Sequence, residues 1–209
     1  MAGFAQKSIV EFLDELASKA PVPGGGSSAA LGGALAAGLV SMVCNLTLGK
    51  KRYANVEEEI RDILARSERL RGELIELLEE DVQVYSRVSK AYKMPRETEE
   101  EKRARAEAIQ AALKEATDVP MRVAKACVEV LEMCTPLAEK GNVMAVSDAG
   151  VAALLAEASL RSAALNVLIN LGAIKDEAFV AENRAKLDAL LEGKSELKEG
   201  VLDLVMSKL

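Results

Sequence analysis

Apolar and polar positions alternate along this chain with the period of an α-helix. Apolar residues recur three and four positions apart over long stretches, and the clearest run extends from Ile60 to Tyr92. Ser8 and Thr98 each begin a capping-box pattern, which marks the start of a helix. Neither a convincing strand nor a repeat of fixed period is evident. The pattern predicts an all-α protein in which residues 1–209 form a single domain, a multihelical bundle.

Capping residues and helix breakers give the predicted helix boundaries. Met94-Pro95 interrupts one apolar run, and Pro120 is tolerated in the first turn of another. The first predicted helix begins at Ser8, and two short final helices are capped by Asp176 and Ser195. Five longer helices lie between them: from about Ser28 to Leu48, from Asn55 to about Lys93, from Thr98 to near Thr117, from Asp118 to Gly141, and from Ser147 or Asp148 to Gly172.

One stretch, from Pro21 to Arg52, stands out because no charged residue occurs between Lys19 and Lys50. It opens with a proline-glycine turn in which Gly24, Gly25 and Gly26 can adopt conformations closed to other residues. Ser27 or Ser28 can cap the helix that follows, and its first amides can meet an anion or a polar ring. Length alone permits a membrane span. The high Gly and Ala content instead favours a buried central helix.

The amino-acid composition argues against some classes of function. The formal net charge of −6 argues against general nucleic-acid binding, which needs a basic face. The three cysteines are an odd number without framework spacing and no signal peptide is evident, so we expect a cytoplasmic protein with free thiols, and no membrane partner.

The chain contains no histidine, and this restricts its chemistry. Proton transfer must use Asp, Glu, Lys, Tyr, Cys or water. A histidine-based triad and a zinc site with imidazole ligands are both excluded, and we expect no metal.

Asp81 and Tyr85 lie four residues apart and therefore project from the same face of one helix. The neighbouring valines indicate that this part of the helix is largely buried. A carboxylate there has a raised pKa unless it is paired, which suits a general acid or base. The alternative is an ordinary helix carboxylate in an ion pair with a neighbour.

Several amides and cations are further candidates. Asn45, Asn166 and Asn170 lie inside apolar helices and need hydrogen-bond partners, from the protein or from a ligand. Asn142 and Asp148 lie at a loop and a helix start, where capping is the alternative explanation. The cluster Lys50, Lys51 and Arg52 can either neutralise a helix C-terminus or bind a substrate carboxylate.

The sequence resembles the cyclodeaminase domain of formiminotransferase-cyclodeaminase and the related stand-alone methenyltetrahydrofolate cyclohydrolases. The resemblance covers nearly the whole chain, and the turn entering the Gly/Ala-rich helix is its most specific part. It is carried by Pro21-Val22-Pro23-Gly24-Gly25-Gly26-Ser27, Ala29-Ala30, Asn45-Leu46-Thr47, Gly49-Lys50-Lys51, Asp81, Tyr85, Pro120, Gly141-Asn142, Ser147-Asp148 and Asn166-Val167.

The resemblance implies an all-helical homodimer whose substrate is a tetrahydrofolate derivative carrying a one-carbon group. It implies catalytic roles for Asp81, Asp148 and Tyr85, and substrate binding by Pro23, Gly24, Gly25, Gly26, Ser27, Asn45, Lys50, Arg52, Asn142, Asn166 and Asn170. The formiminotransferase half is not in this sequence, so such a domain could serve either reaction. We expect formimino-tetrahydrofolate cyclodeaminase, with the cyclohydrolase as the alternative and a non-catalytic folate-binding or interaction protein as a further one.

Overall fold

The computed structural model describes residues 3–209, which form seven α-helices and no strand. The α-helices are α1 (Ile9–Leu16), α2 (Gly25–Thr47), α3 (Glu57–Tyr92), α4 (Glu99–Lys140), α5 (Val146–Leu171), α6 (Glu177–Leu191) and α7 (Lys194–Met206); short 3-10 turns occupy Phe4–Gln6, Lys51–Val56 and Val143–Ala145. The predicted all-α bundle is confirmed.

Helix α2 occupies the centre of the bundle, packed against α3, α4 and α5. Its small residues allow this close packing: Ala30, Ala36 and Ala37 are completely buried, and a Cβ on Gly33 would lie 2.8 Å from the Cys127 sulfur. The predicted buried Gly/Ala-rich central helix is confirmed. One stripe of α2, however, faces away from the bundle.

Helices α2 and α5 run antiparallel. Asn166, near the end of α5, lies beside Gly25 at the start of α2. Asn142, just before α5, donates from its side-chain amide to the Leu46 carbonyl oxygen at the end of α2, at 2.8 Å. The two ends of α2 are therefore separate regions about 30 Å apart, since a helix rises about 1.5 Å per residue.

Helix α4 is one continuous helix, and the predicted break between Thr117 and Asp118 is wrong. Pro120 has no N–H, so it cannot bond the carbonyl oxygen of Ala116 four residues earlier. The side-chain amide of Asn170 on α5 donates to that oxygen instead, at 2.9 Å. A tertiary contact thus satisfies the group that the proline leaves free.

Three of the predicted caps are confirmed, at Ser8, Thr98 and Asp176. The others are wrong. Helix α2 begins at Gly25 behind Gly24, so neither Ser27 nor Ser28 caps it. The starts of three further helices lie elsewhere than predicted: α3 begins after a 3-10 turn that contains Asn55, α5 begins at Val146 and α7 begins at Lys194 behind a left-handed Gly193.

Two segments, α2 and Val143–Leu171, are long and apolar enough to cross a membrane by length and composition. In the bundle, 56% of the most apolar window of α2 and 50% of that of the second segment are buried against other parts of the chain. Core helices of globular proteins pass the same length and composition test.

Candidate active site

A cavity of about 400 Å³ opens at the N-terminal end of α2. The glycine turn forms one wall, and α3, α4 and α5 form the others. The lining is mainly apolar, with Asp81, Tyr85, Asn166 and Asn170 as polar exceptions from the predicted site. A mostly apolar pocket of this size with a few convergent polar groups is typical of a small-molecule site.

Asp81 is the one charged side chain in this lining. The Ser27 hydroxyl donates to its carboxylate at 2.7 Å, and no basic side chain of residues 3–209 forms an ion pair with it. Burial raises the pKa of Asp81 above its ordinary value, and hydrogen bonds from Ser27 partly oppose that shift. The alternative of an ion-paired helix carboxylate is therefore excluded within the described residues.

The glycine turn serves the site by its small size rather than by unusual backbone angles. Gly24, Gly25 and Gly26 all have negative φ or extended backbone, so the predicted special conformation is wrong. A Cβ on Gly26 would overlap the Oδ1 atom of Asp81. The absence of a side chain lets the carboxylate of α3 reach the first turn of α2, whose free N–H groups favour a negative charge.

Two tyrosines of α3 form the rim of the cavity. Tyr85 is 44% exposed and Tyr92 is 47% exposed, and both line it. The expectation that this part of the helix is largely buried is met by Val84, which is buried, and in part by Val82 and Val88, which are half-buried. Tyr92 was not among the predicted site residues, although its position two helical turns after Tyr85 places it on the same helix face.

Asn166 and Asn170 also line the cavity, but they do not pair with each other. The Asn166 amide donates to the Ser162 carbonyl oxygen at 2.8 Å within α5. Its Oδ1 atom accepts no hydrogen bond from residues 3–209. Asn170 bonds the Ala116 carbonyl oxygen, which gives it a structural role beside any role in binding.

A second group of predicted residues lies at the opposite end of α2. Asn45, Lys50 and Arg52 are exposed there, and Asp148 is half-buried in the first turn of α5. The expectation that Asn45 is a buried amide is wrong. Within one chain these residues are about 30 Å from Asp81, so the chain alone does not gather the whole predicted site.

Asn142 belongs to this second group and is fully engaged in structure. It is 5% exposed, its amide donates to Leu46, and its Oδ1 atom accepts from the Met144 N–H at 3.1 Å and the Tyr53 hydroxyl at 3.4 Å. These contacts support the capping interpretation. Arg52 stacks on the Tyr53 ring, with its guanidinium carbon 5.7 Å from the ring centre.

The residues that line the cavity at the N-terminal end of α2 are suited to acid–base chemistry. Asp81 has a raised pKa, no ionic partner among residues 3–209 and a position in the wall of an apolar cavity, which are the properties of a candidate general acid or base. The amide oxygen of Asn166 and the free amides of α2 supply hydrogen bonds to orient a polar ring.

Comparison with known proteins shows which group of proteins this chain resembles. The family model described as formiminotransferase-cyclodeaminase matches residues 8–189. A methenyltetrahydrofolate cyclohydrolase from Methylorubrum extorquens is 50% identical over 100% of this chain and 99% of its own length. The formimidoyltransferase-cyclodeaminase of Sus scrofa is 33% identical over 94% of this chain, which spans 36% of that longer protein.

A solved structure agrees with these sequence matches. The crystal structure of a formiminotetrahydrofolate cyclodeaminase from Thermotoga maritima superposes with a TM-score of 0.81 and 36% sequence identity, covering 98% of this chain and 96% of that one. The family match extends over most of the sequence, and the structural match over nearly all of it. The chain therefore belongs to the formiminotransferase-cyclodeaminase family.

Proposed function

We propose that this protein is a methenyltetrahydrofolate cyclohydrolase. The observation that carries the proposal is the 50% identity, over the full length of this chain, to a protein with that activity. From the sequence alone the cyclodeaminase was the first expectation and the cyclohydrolase the alternative; here the cyclohydrolase comes first. The buried, unpaired thiols of Cys44, Cys127 and Cys134 support a reducing compartment, and we place the enzyme in the cytoplasm.

The cavity suits the pterin end of such a substrate. Its volume of about 400 Å³ falls in the usual range for small ligands. The flat ring would lie against the glycine turn, where no side chain blocks close approach. Its hydrogen-bonding edge would face the Asn166 amide and the free N–H groups of α2.

In the proposed reaction Asp81 acts as the base and then as the acid. Water adds to the carbon between N5 and N10 and gives one proton to the Asp81 carboxylate. The bond from that carbon to N5 then breaks, Asp81 returns its proton to N5, and the hydroxyl proton leaves as the formyl carbonyl forms. The products are 10-formyltetrahydrofolate and one proton, and the raised pKa of Asp81 suits both roles.

The second candidate is formimino-tetrahydrofolate cyclodeaminase, which the structural likeness to the Thermotoga maritima protein favours. There N10 attacks the formimino carbon on N5, N10 loses a proton, and the departing nitrogen takes up protons and leaves as ammonia. The product is 5,10-methenyltetrahydrofolate, the substrate of the first reaction. Both reactions therefore need a proton-exchanging group beside the same carbon.

Turnover of each substrate by the purified chain tests the proposal. We expect loss of methenyltetrahydrofolate absorbance well above the buffer rate, and a drop of about 10²-fold or more in kcat for Asp81→Asn. Asp203→Asn, on the exposed face of α7, is the matched control and should keep wild-type activity. Acceleration of the formimino reaction alone would replace the proposal by the second candidate. Folate binding without turnover would point to a binding protein.

A further inference from the structure

The cavity that contains Asp81 is elongated along α3. Five residues on one face of this helix line it: Asp81, Val84, Tyr85, Val88 and Tyr92. Tyr92 comes 11 residues after Asp81 in the sequence. This wall of the cavity is therefore about 16 Å long, since a helix rises about 1.5 Å per residue. The proposed reaction takes place at the Asp81 end, so the Tyr92 end faces another part of the substrate.

Arg105 on α4 holds Tyr92 at the far end of this wall. Its guanidinium carbon lies over the Tyr92 ring, 5.8 Å from the ring centre. Its Nη2 and Nε atoms donate to the Tyr92 carbonyl oxygen at 3.0 and 3.3 Å. Tyr92 is the last residue of α3, and the last carbonyl groups of a helix have no partner within it. Arg105 therefore restrains both the end of α3 and the tyrosine ring.

The Tyr92 ring is free to contact a ligand. Tyr92 is 47% exposed, and the guanidinium of Arg105 covers one of its two ring faces. The Tyr92 hydroxyl forms no hydrogen bond within residues 3–209, so the ring itself is the contact that this side chain offers. The neighbouring lining includes the apolar residues Leu113 and Ala173. A flat aromatic group packs favourably against such a surface.

The substrate of the proposed function carries an aromatic ring in addition to the pterin. In methenyltetrahydrofolate one carbon joins N5 of the pterin to N10, and N10 carries the aminobenzoyl ring. With that carbon beside Asp81 and the pterin against the glycine turn, the aminobenzoyl ring extends along α3 away from the turn. Side chains of a helix lean toward its N-terminus, so Tyr92 leans toward Asp81 and meets the outer end of this ring.

We propose that Tyr92 is a specificity-determining residue that packs against the aminobenzoyl ring of the substrate, and that Arg105 is the positioning residue that holds it. This inference rests on the proposed function, since a folate supplies the ring. The contact fixes the N10 side of the substrate, so that the carbon between N5 and N10 stays beside Asp81. It also selects pterins whose N10 carries an aromatic ring.

Three substrates test the contact: methenyltetrahydrofolate, its pteroate analogue without glutamate, and an analogue with a methyl group on N10 in place of the aminobenzoyl ring. Tyr92→Leu should raise KM about tenfold for the first two, which share the ring, and leave KM for the methyl analogue unchanged. Tyr92→Phe keeps the ring and should retain the wild-type KM for all three. Both variants should keep the helical circular dichroism spectrum, since Tyr92 is 47% exposed.

A double-mutant cycle tests the positioning role of Arg105. Arg105→Ala should raise KM for methenyltetrahydrofolate about threefold, because the ring loses its restraint. Arg103→Ala, which removes an exposed arginine of the same helix, is the matched control and should leave KM unchanged. In a Tyr92→Leu background Arg105→Ala should have no further effect, since its influence passes through Tyr92. Equal effects in both backgrounds would overturn the positioning role.

Three further results would overturn the contact. An equal rise of KM for all three substrates in Tyr92→Leu would make Tyr92 a general part of the cavity wall. A rise confined to the substrate with glutamate would make it a contact of the tail, and an unchanged KM for every substrate would remove it from binding.

The failures of the two proposals are distinguishable. A wild type that turns over methenyltetrahydrofolate keeps the proposed function, whatever the Tyr92 variants show. If the wild type accelerates the formimino reaction alone, the same three comparisons are made with the formimino compounds, which carry the same ring. A wild type that turns over neither folate refutes the proposed function, and the role of Tyr92 with it.

Discussion

At the scale of single residues, Asp81 is the one charged side chain in the lining of the cavity. The Ser27 hydroxyl donates a hydrogen bond to its carboxylate at 2.7 Å, and no cationic side chain of residues 3–209 pairs with it. Burial raises its pKa, so the charged form is less favourable in the folded protein than in the unfolded chain. The folded protein thus holds at this position a carboxylate whose ionised form costs stability.

The stability of Asp81→Asn follows from the sign of that pKa shift. Because the folded-state pKa is raised, the contribution of Asp81 to stability is greatest at low pH and is lost as pH rises through the folded pKa. The asparagine oxygen can still accept from Ser27. We therefore expect Asp81→Asn to have a higher melting temperature than the wild type at pH 7 and no advantage at pH 3. A lower melting temperature at pH 7 would show that the charge is stabilised by a partner.

Ser27 should set the pH dependence of the reaction. Its hydrogen bonds favour the charged carboxylate and lower the pKa of Asp81 against the effect of burial. Ser27→Ala removes the hydroxyl, so the pKa should rise and the acid limb of the kcat/KM profile should move to higher pH. Ser28→Ala is the matched control, since its hydroxyl bonds only the Gly24 carbonyl oxygen. An unmoved acid limb in Ser27→Ala would assign that limb to another group.

Gly26 is required by contact rather than by backbone angle. A Cβ at this position overlaps the Asp81 carboxylate, so Gly26→Ala should displace that group and lower kcat about 10-fold or more. Gly72→Ala, with no atom within 4 Å of the new Cβ on α3, should keep full activity and gain about 0.5–1 kcal/mol of stability. Full activity in Gly26→Ala would contradict the close approach.

At the scale of elements, helix α4 shows how a tertiary contact overrides a local signal. Pro120 removes one backbone hydrogen bond inside the helix, which costs about 3 kcal/mol in an isolated helix. Asn170, 50 residues further along the chain, restores the missing partner of the Ala116 carbonyl oxygen. The same contact joins α4 to α5 at the wall of the cavity, which both Pro120 and Asn170 line.

A double-mutant cycle measures this compensation. Asn170→Ala leaves the Ala116 carbonyl oxygen without a partner and should cost about 1–3 kcal/mol of unfolding free energy. In a Pro120→Ala background the new N–H of residue 120 can bond that oxygen, so the cost of Asn170→Ala should shrink to below about 0.5 kcal/mol. Equal costs in both backgrounds, measured by urea unfolding, would show that the two residues act independently.

At the scale of the whole molecule, the bundle encloses three sides of α2 and leaves the fourth side open. Leu35 and Ile169 on that side are 55% and 73% exposed, which is unusual for large apolar residues of a folded chain. The second copy in the homodimer that the family resemblance implies would cover this side. Folding and assembly would then be coupled.

A homodimer, which the family resemblance implies, would make thermal stability depend on protein concentration. Since a dimer is favoured by mass action, the melting temperature of the wild type should rise with protein concentration over the micromolar range. Leu35→Asp, which places a charge on the open side of α2, should melt at a lower temperature that does not change with concentration. Parallel behaviour of the two proteins in a dilution series would contradict assembly through this face.

The sequence by itself determined most of the secondary structure, the central helix and the residue types available for proton transfer. The spacing of apolar residues is a local property, so the helices were predictable apart from boundaries such as the one at Thr117 and Asp118. The uncharged stretch before Lys50 predicted the buried α2, because a helix without charges must be covered. The lack of histidine directed attention to carboxylates, and Asp81 proved to line the cavity.

Only the tertiary structure decided which of those residues meet. Helices α2 and α5 pack antiparallel, which joins Asn166 to the glycine turn and removes Asp148 to the opposite end of the bundle. The need for glycine at position 26 arises from Asp81, 55 residues later, and the continuity of α4 arises from Asn170. Such contacts join positions far apart in the chain, and the helical period carries no information about them.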